Sequence, residues 1–89
     1  MLPTHRIATH PGKVLLEEFL KPSGISQAEL ARRLKISANR LNEIVREKRG
    51  VSAETALLLA GFLKTTPEFW MNLQVAYDLT RARARRRVA

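Results

Sequence analysis

Apolar residues recur along the chain in helical spacing, in segments separated by short polar joints. Val14, Leu15, Leu16, Phe19 and Leu20 predict a first helix from Gly12 to Leu20, stopped by Pro22, Ser23 and Gly24. Ser26-Gln27-Ala28-Glu29 reads as a capping box, with Glu29 reaching back to the cap. It opens a second helix whose inner face is Ala28, Leu30, Ala31 and Leu34. Ser37 caps a third, with Leu41, Ile44 and Val45 on one side and Ala38, Asn39, Asn42, Glu43 and Arg46 on the other. Gly50 marks the turn after it. The fourth helix, Ser52 to Leu63, is apolar nearly all round, which predicts burial in the middle of a bundle. Thr66 caps the fifth, Pro67 takes its first position, and the helix continues to Arg81 or further. No run alternates with period two long enough to be a strand. The pattern predicts an all-α chain, a five-helix bundle with a central helix-turn-helix. A flexible arm covers 1–11, the domain 12–80 and a basic tail 81–89.

Charge changes the picture. Sixteen lysines and arginines against eight acids give +8, a balance suited to a polyanion such as nucleic acid or an anionic membrane surface. The excess sits in two blocks. Residues 32–49 hold seven bases and two acids, and residues 81–87 hold five arginines and no acid. Several classes are excluded by what the chain lacks. Without cysteine there is no disulfide frame, thiolate metal cage or cysteine nucleophile. His5 and His10, the two imidazoles, precede the helices and have no third ligand nearby, so no metal site is expected. Glu17 and Glu18 are adjacent and diverge on a helix, a poor acid/base pair. No catalytic residue and no cofactor are expected. No apolar run approaches a membrane span, and the first residues, MLPTHRIATHPG, lack the apolar core of a secretory signal. The expectation is a cytoplasmic, non-enzymatic protein with no membrane partner.

The second and third helices are short, capped and joined by about three residues, the plan of a helix-turn-helix. Ala31 falls where the two helices cross. Ile36 folds inward from the turn, and Leu41 and Ile44 anchor the third helix from beneath. The opposite face must then point outward, and a protruding helix fits the major groove. Asn39 and Asn42 carry the amide pair suited to adenine. Arg40 suits guanine or phosphate, Glu43 accepts from cytosine, and Ala38 touches a thymine methyl. Gln27, Arg46, Lys48 and Arg49, together with the caps Ser26 and Ser37, are the candidates for phosphate.

SQAELARRLKISANRLNEIVREKRG resembles the helix-turn-helix of the Cro/CI-like (XRE) phage-repressor family. The chain as a whole resembles the HigA-type, or VapI-like, antitoxins. The matching stretches are HPGKVLLEEFLKPSGISQAELARRL, RLNEIVREKRGVSAETALLLAGFL and TPEFWMNLQVAYDL. TPEFWMNLQ…YDL is the most specific, because a generic repressor domain does not need it. The resemblance implies a lambda-repressor-like, all-helical fold and dimeric binding to a palindromic operator in double-stranded DNA. It also implies pairing with a small ribonuclease toxin of HigB type and autoregulation of a type II toxin–antitoxin operon. By motif position, Gln27 is a backbone-gripping glutamine, Ala38, Asn39, Asn42 and Glu43 read bases, and Arg46 grips phosphate. The tail RARARRRVA departs from the family pattern.

The fifth helix shows two apolar stripes. Phe69, Trp70, Leu73, Ala76 and Tyr77 suffice to dock it on its own bundle. Asn72 and Thr80 lie on one side between the stripes, and Gln74, Asp78 and Arg81 on the other. Met71, Val75 and Leu79 then need a partner, and a homodimer contact is expected there. The competing arrangement wedges this helix inside its own chain. The arginine tail either lies along phosphates or is solvated. A protein-interaction module that mainly binds a toxin, or a free-standing regulator with no toxin, is the alternative function.

Overall fold

A computed structural model describes residues 6–88, and side chains through residue 86. Its described residues form five helices and no strand. His5 and the outer part of the expected arm, residues 1–5, lie outside them.

α1 covers residues 11–23. It opens over Pro11–Val14, widens into a π-helical stretch over Leu15–Leu20 and closes over Lys21–Ser23. The helix therefore does not stop before Pro22. A helical proline lacks an N–H, and its ring presses on the carbonyl four residues back. The turn before Pro22 is wide, with the Lys21 N–H on the Leu16 carbonyl in i→i−5 spacing, which relieves that conflict. The stop is Gly24, left-handed at φ 74°.

The inner part of the arm is docked, not loose. His10 is buried, and its Nδ1 accepts the Gly12 N–H at 2.9 Å, capping α1. The Tyr77 ring stands edge-on to the imidazole at 4.6 Å. Ala8 N–H donates to Thr80 Oγ1 at 2.8 Å. The strap at residues 8–12 thus joins α1 to the last helix. Gly12 is obligatory here, because a Cβ would lie 1.8 Å from the Ile44 carbonyl oxygen.

α2 (Gln27–Leu34), α3 (Ala38–Val45), α4 (Ala53–Leu63) and α5 (Pro67–Val88) follow. Ser26, Ser37, Ser52 and Thr66 cap them, each hydroxyl accepting the N–H three residues on at 3.0–3.2 Å. The capping box is only half formed. Glu29 turns to the guanidiniums of Arg32 and Arg33, which hold its carboxyl below the usual range. Ala28 is exposed, leaving Leu30, Ala31 and Leu34 as the buried face of α2.

Leu15, Leu30, Leu41, Ile44, Leu59 and Trp70 are fully buried at the centre. Trp70 Nε1 donates to Thr65 Oγ1 at 2.7 Å, and Phe19 and Phe69 pack on its ring. Phe69 itself stays 39% exposed, at the edge of the docked face. α4 is not enclosed all round, since Leu57 is 62% exposed. Four other helices of this length are too few to surround a fifth.

Candidate nucleic-acid interface

The link between α2 and α3 is held by the α2 C-terminus. Lys35 adopts φ 59°, its N–H meets the Arg32 carbonyl at 3.2 Å, and the Ile36 N–H meets the Ala31 carbonyl at 3.1 Å. This pair of bonds is a Schellman closure. It turns the chain within three residues and delivers Ser37 to cap α3. Ala31 is buried at the crossing.

α3 buries Leu41, Ile44 and Val45. Ala38, Asn39, Asn42, Glu43 and Arg46 share an arc of about 140° on its other side, at about 100° per residue. Ala38, Asn39 and Arg46 are exposed, and Asn42 and Glu43 half-buried. Asn42 Nδ2 donates to Gln27 Oε1 at 3.1 Å, tying the first residue of α2 to the middle of this face. The bond fixes the amide and leaves Oδ1 and a second N–H to bind. Ser26 and Ser37 use their oxygens as caps, and each keeps a hydroxyl proton to donate.

Three further expected side chains are engaged within the protein. Arg40 lies about 160° from Asn42 around the helix, on the flank toward α4. Its guanidinium donates to Thr55 Oγ1 at 2.6 Å and meets Glu54 at 3.5 Å. It is turned away from the open face and serves the α3–α4 contact. Arg49 pairs with Glu43 at 2.7 Å, so each occupies the other. Arg49 is exposed and Glu43 half-buried at the surface, and such a pair is worth only about 0.2–1 kcal/mol, so a phosphate can displace it. Among the described residues no ion pair involves Arg46 or Lys48.

The turn after α3 closes on Glu47, at φ 63°, not on Gly50. Lys48 N–H reaches the Glu43 carbonyl at 2.8 Å. Gly50 has another role, since a Cβ there would come within 2.9 Å of the Gln74 side chain. That closeness lets Gln74 Oε1 accept the buried Val51 N–H at 2.7 Å, while its Nε2 donates to Asp78 at 3.0 Å. Gln74 clamps the end of the helix-turn-helix to α5.

The family model described as Helix-turn-helix matches residues 16–70. Virulence-associated protein I of Dichelobacter nodosus is 51% identical over 75 residues, covering 84% of this chain and 69% of that protein. Antitoxin HigA-1 of Vibrio cholerae is 38% identical over 86 residues, covering 96% of this chain and 80% of the relative. The chain belongs to the HigA-type helix-turn-helix family. The structure of Pseudomonas aeruginosa antitoxin HigA with the higBA promoter resembles it at a TM-score of 0.84 and 51% identity, covering 85% of this chain and 83% of that one. The expected lambda-repressor-like, all-helical fold is therefore present.

In this HigA-type chain, sequence reasoning missed two positioning residues. By its spacing Gln74 is a polar residue between two stripes, yet it is buried, as is Thr80. His10, which lacks a third ligand for a metal, is the α1 cap. Gln74 has no local signal, because Val51 lies 23 residues away, whereas the place of His10 directly before Pro11, at the first position of α1, is a local cap signal. Of the residues expected at a dimer contact, Val75 and Leu79 are 49% and 44% exposed, while Met71 packs partly on its own core. No helix among the described residues is long and apolar enough to cross a membrane.

Proposed function

We propose that this chain is a cytoplasmic, non-enzymatic, sequence-specific DNA-binding repressor. In this reading it is the antitoxin of a type II pair, binds a small HigB-type ribonuclease toxin and represses its own operon as a dimer. The observation that carries the reading is the open face of α3. Asn39 and Asn42 present amides to a base edge, and Ala38 and Glu43 flank them. Arg46 and Lys48 stand beside the face for phosphates, with Gln27, Ser26 and Ser37 at the other end. Arg49 joins them when phosphate displaces Glu43. The antitoxin relative and the promoter-bound HigA neighbour support the same reading.

The outward stripe of α5 supports dimerisation. Val75 and Leu79 are exposed one turn apart, with Met71 at the rim of the core. Reading a palindrome on one face needs two α3 helices about 34 Å apart, and a two-fold axis through this stripe is the arrangement proposed to provide them. Fluorescence anisotropy against a duplex from immediately upstream of the reading frame, at two salt concentrations, tests the DNA reading. Asn39→Ala and Asn42→Ala should each weaken specific binding about 5- to 150-fold, the equivalent of about 1–3 kcal/mol per bidentate base contact. Arg46→Ala should weaken specific and scrambled duplexes alike. Wild-type affinity in both asparagine variants would refute the assignment of α3. Val75→Asp should yield monomers by light scattering, and an unchanged mass rules out this dimer face.

A further inference from the structure

The last turns of α5 remain helical to Val88, well past the residues that dock the helix. Arg81, Arg83, Arg85 and Arg86 are all exposed, and Ala84 is half-buried one turn beyond Thr80. Among the described residues, no ion pair involves any of these four arginines. Alanine between them supplies helix propensity. Yet Arg81 and Arg85 are four residues apart and Arg83 and Arg86 three, spacings at which like charges repel. A helix that concentrates unpaired cations in this way calls for a polyanion.

Its position indicates which polyanion. Gln74 bonds to Val51, two residues past Arg49, and Tyr77 stands against His10 in the strap. α5 therefore runs beside the segment that follows α3 and carries Lys48 and Arg49, about two turns before its arginines begin. From Gln74 to Arg86 the helix advances about 18 Å, a length of duplex axis holding about five phosphates per strand. Arg81 also rests over the Tyr77 ring, 5.8 Å from its centroid, which orients the first of the four.

Resting on the DNA-binding reading above, we propose that the α5 extension is a second phosphate-binding arm. It lies along the sugar–phosphate backbone of the duplex, outside the base pairs that α3 reads. Arg81 and Arg85 lie on one side of the helix and Arg83 and Arg86 on roughly the opposite side. Either side presents a pair to the backbone.

The test compares the wild-type chain with the fourfold variant Arg81→Ala/Arg83→Ala/Arg85→Ala/Arg86→Ala. Alanine preserves the helix, and circular dichroism checks that the variant is folded. Affinity is measured against salt on a 40-bp upstream duplex and on the same duplex trimmed to the base pairs that the variant protects. With two phosphates released per protomer, the slope of log affinity against log salt should fall by about 1.8 per protomer on the long duplex. The two chains should converge on the trimmed one. Equal slopes on the long duplex would overturn the arm and leave the arginines to an acidic protein surface. An equal fall on both duplexes would also overturn it, because the contact would then lie inside the segment α3 reads. If the wild-type chain prefers no sequence, the repressor reading fails. The arm is then still decided by the slope on scrambled DNA, and absence of all DNA binding sinks both.

Discussion

Replacing Gln74 isolates the bond that holds the helix-turn-helix to α5. Val51 is buried, and its N–H has Gln74 Oε1 as partner at 2.7 Å. Leaving a buried donor unmatched costs about 1–3 kcal/mol. Loss of the Nε2 bond to Asp78, an i,i+4 pair, adds about 0.2–0.5 kcal/mol. The sum, about 1.2–3.5 kcal/mol, corresponds to a fall in Tm of roughly 5–28 °C for a domain of this size. Two variants separate the donor from the volume. Gln74→Ala opens room for a water that can bond to Val51. Gln74→Leu keeps the space filled and supplies no acceptor, so it should be at least as damaging. Asp78→Ala removes only the weaker bond and should cost no more than about 0.5 kcal/mol. Thermal and urea unfolding of the four chains give the ranking. A Gln74→Leu variant as stable as wild type would refute the clamp.

Three further outcomes follow from the backbone and the strap. Gly12→Ala places a Cβ 1.8 Å from the Ile44 carbonyl oxygen; urea unfolding should register a loss of at least about 1–3 kcal/mol. Glu47→Gly relieves a left-handed residue, worth about 1–2 kcal/mol, against a glycine entropy cost of about 0.5–1 kcal/mol. Its unfolding midpoint should therefore rise, and a fall would show that the Glu47 side chain contributes to the fold. Burial lowers the pKa of His10 from 6.5, outweighing the pull of Glu47 and Asp78 in the other direction. The unfolded chain therefore takes the proton first. The stabilisation is complete above pH 6.5 and is lost as the pH falls through the lowered folded value. His10→Asn keeps a cap acceptor without titrating, so Tm should depend less on pH below 6.5 in that variant.

What could be read in the chain was local. Serine caps, the i, i+3, i+4 spacing of Leu41, Ile44 and Val45, and the joint between two short helices are all set by residues within one or two turns. The open face of α3 followed by subtraction from its buried side. The parts that escaped depend on distant partners. Arg40 follows the exposed Asn39 in sequence, but Thr55 lies fifteen residues away and claims its guanidinium. The three Schellman-type turns close on Lys35, Glu47 and Lys64, where glycine is the ordinary residue, so composition pointed to Gly50 instead. Pro22 reads as a helix stop unless the preceding turn is known to be wide. Leu57 reads as core because hydropathy does not say how many helices are available to cover α4.

α5 is where these non-local contacts converge, and that bears on how the molecule would read a palindrome. Trp70 seats the helix in the core, Gln74 ties it to the turn after α3, and Tyr77 and Thr80 hold the strap that caps α1. Gly12 in that strap abuts the carbonyl of Ile44 in α3. α3 is thus fixed relative to α5 from two directions, by a hydrogen bond through Val51 and by backbone contact through Gly12. Val75 and Leu79 project from the same stretch of α5. If that stripe joins two protomers, the spacing of the two α3 helices is set by contacts within each monomer, with no flexible segment between the joint and the reading head. Half-site spacing would then be narrowly specified. Loosening the clamp at Gln74 should broaden the tolerated spacings before it abolishes binding, whereas loss of Asn42 should weaken every spacing equally. A Gln74→Ala chain as strict about spacing as wild type would place the rigidity elsewhere.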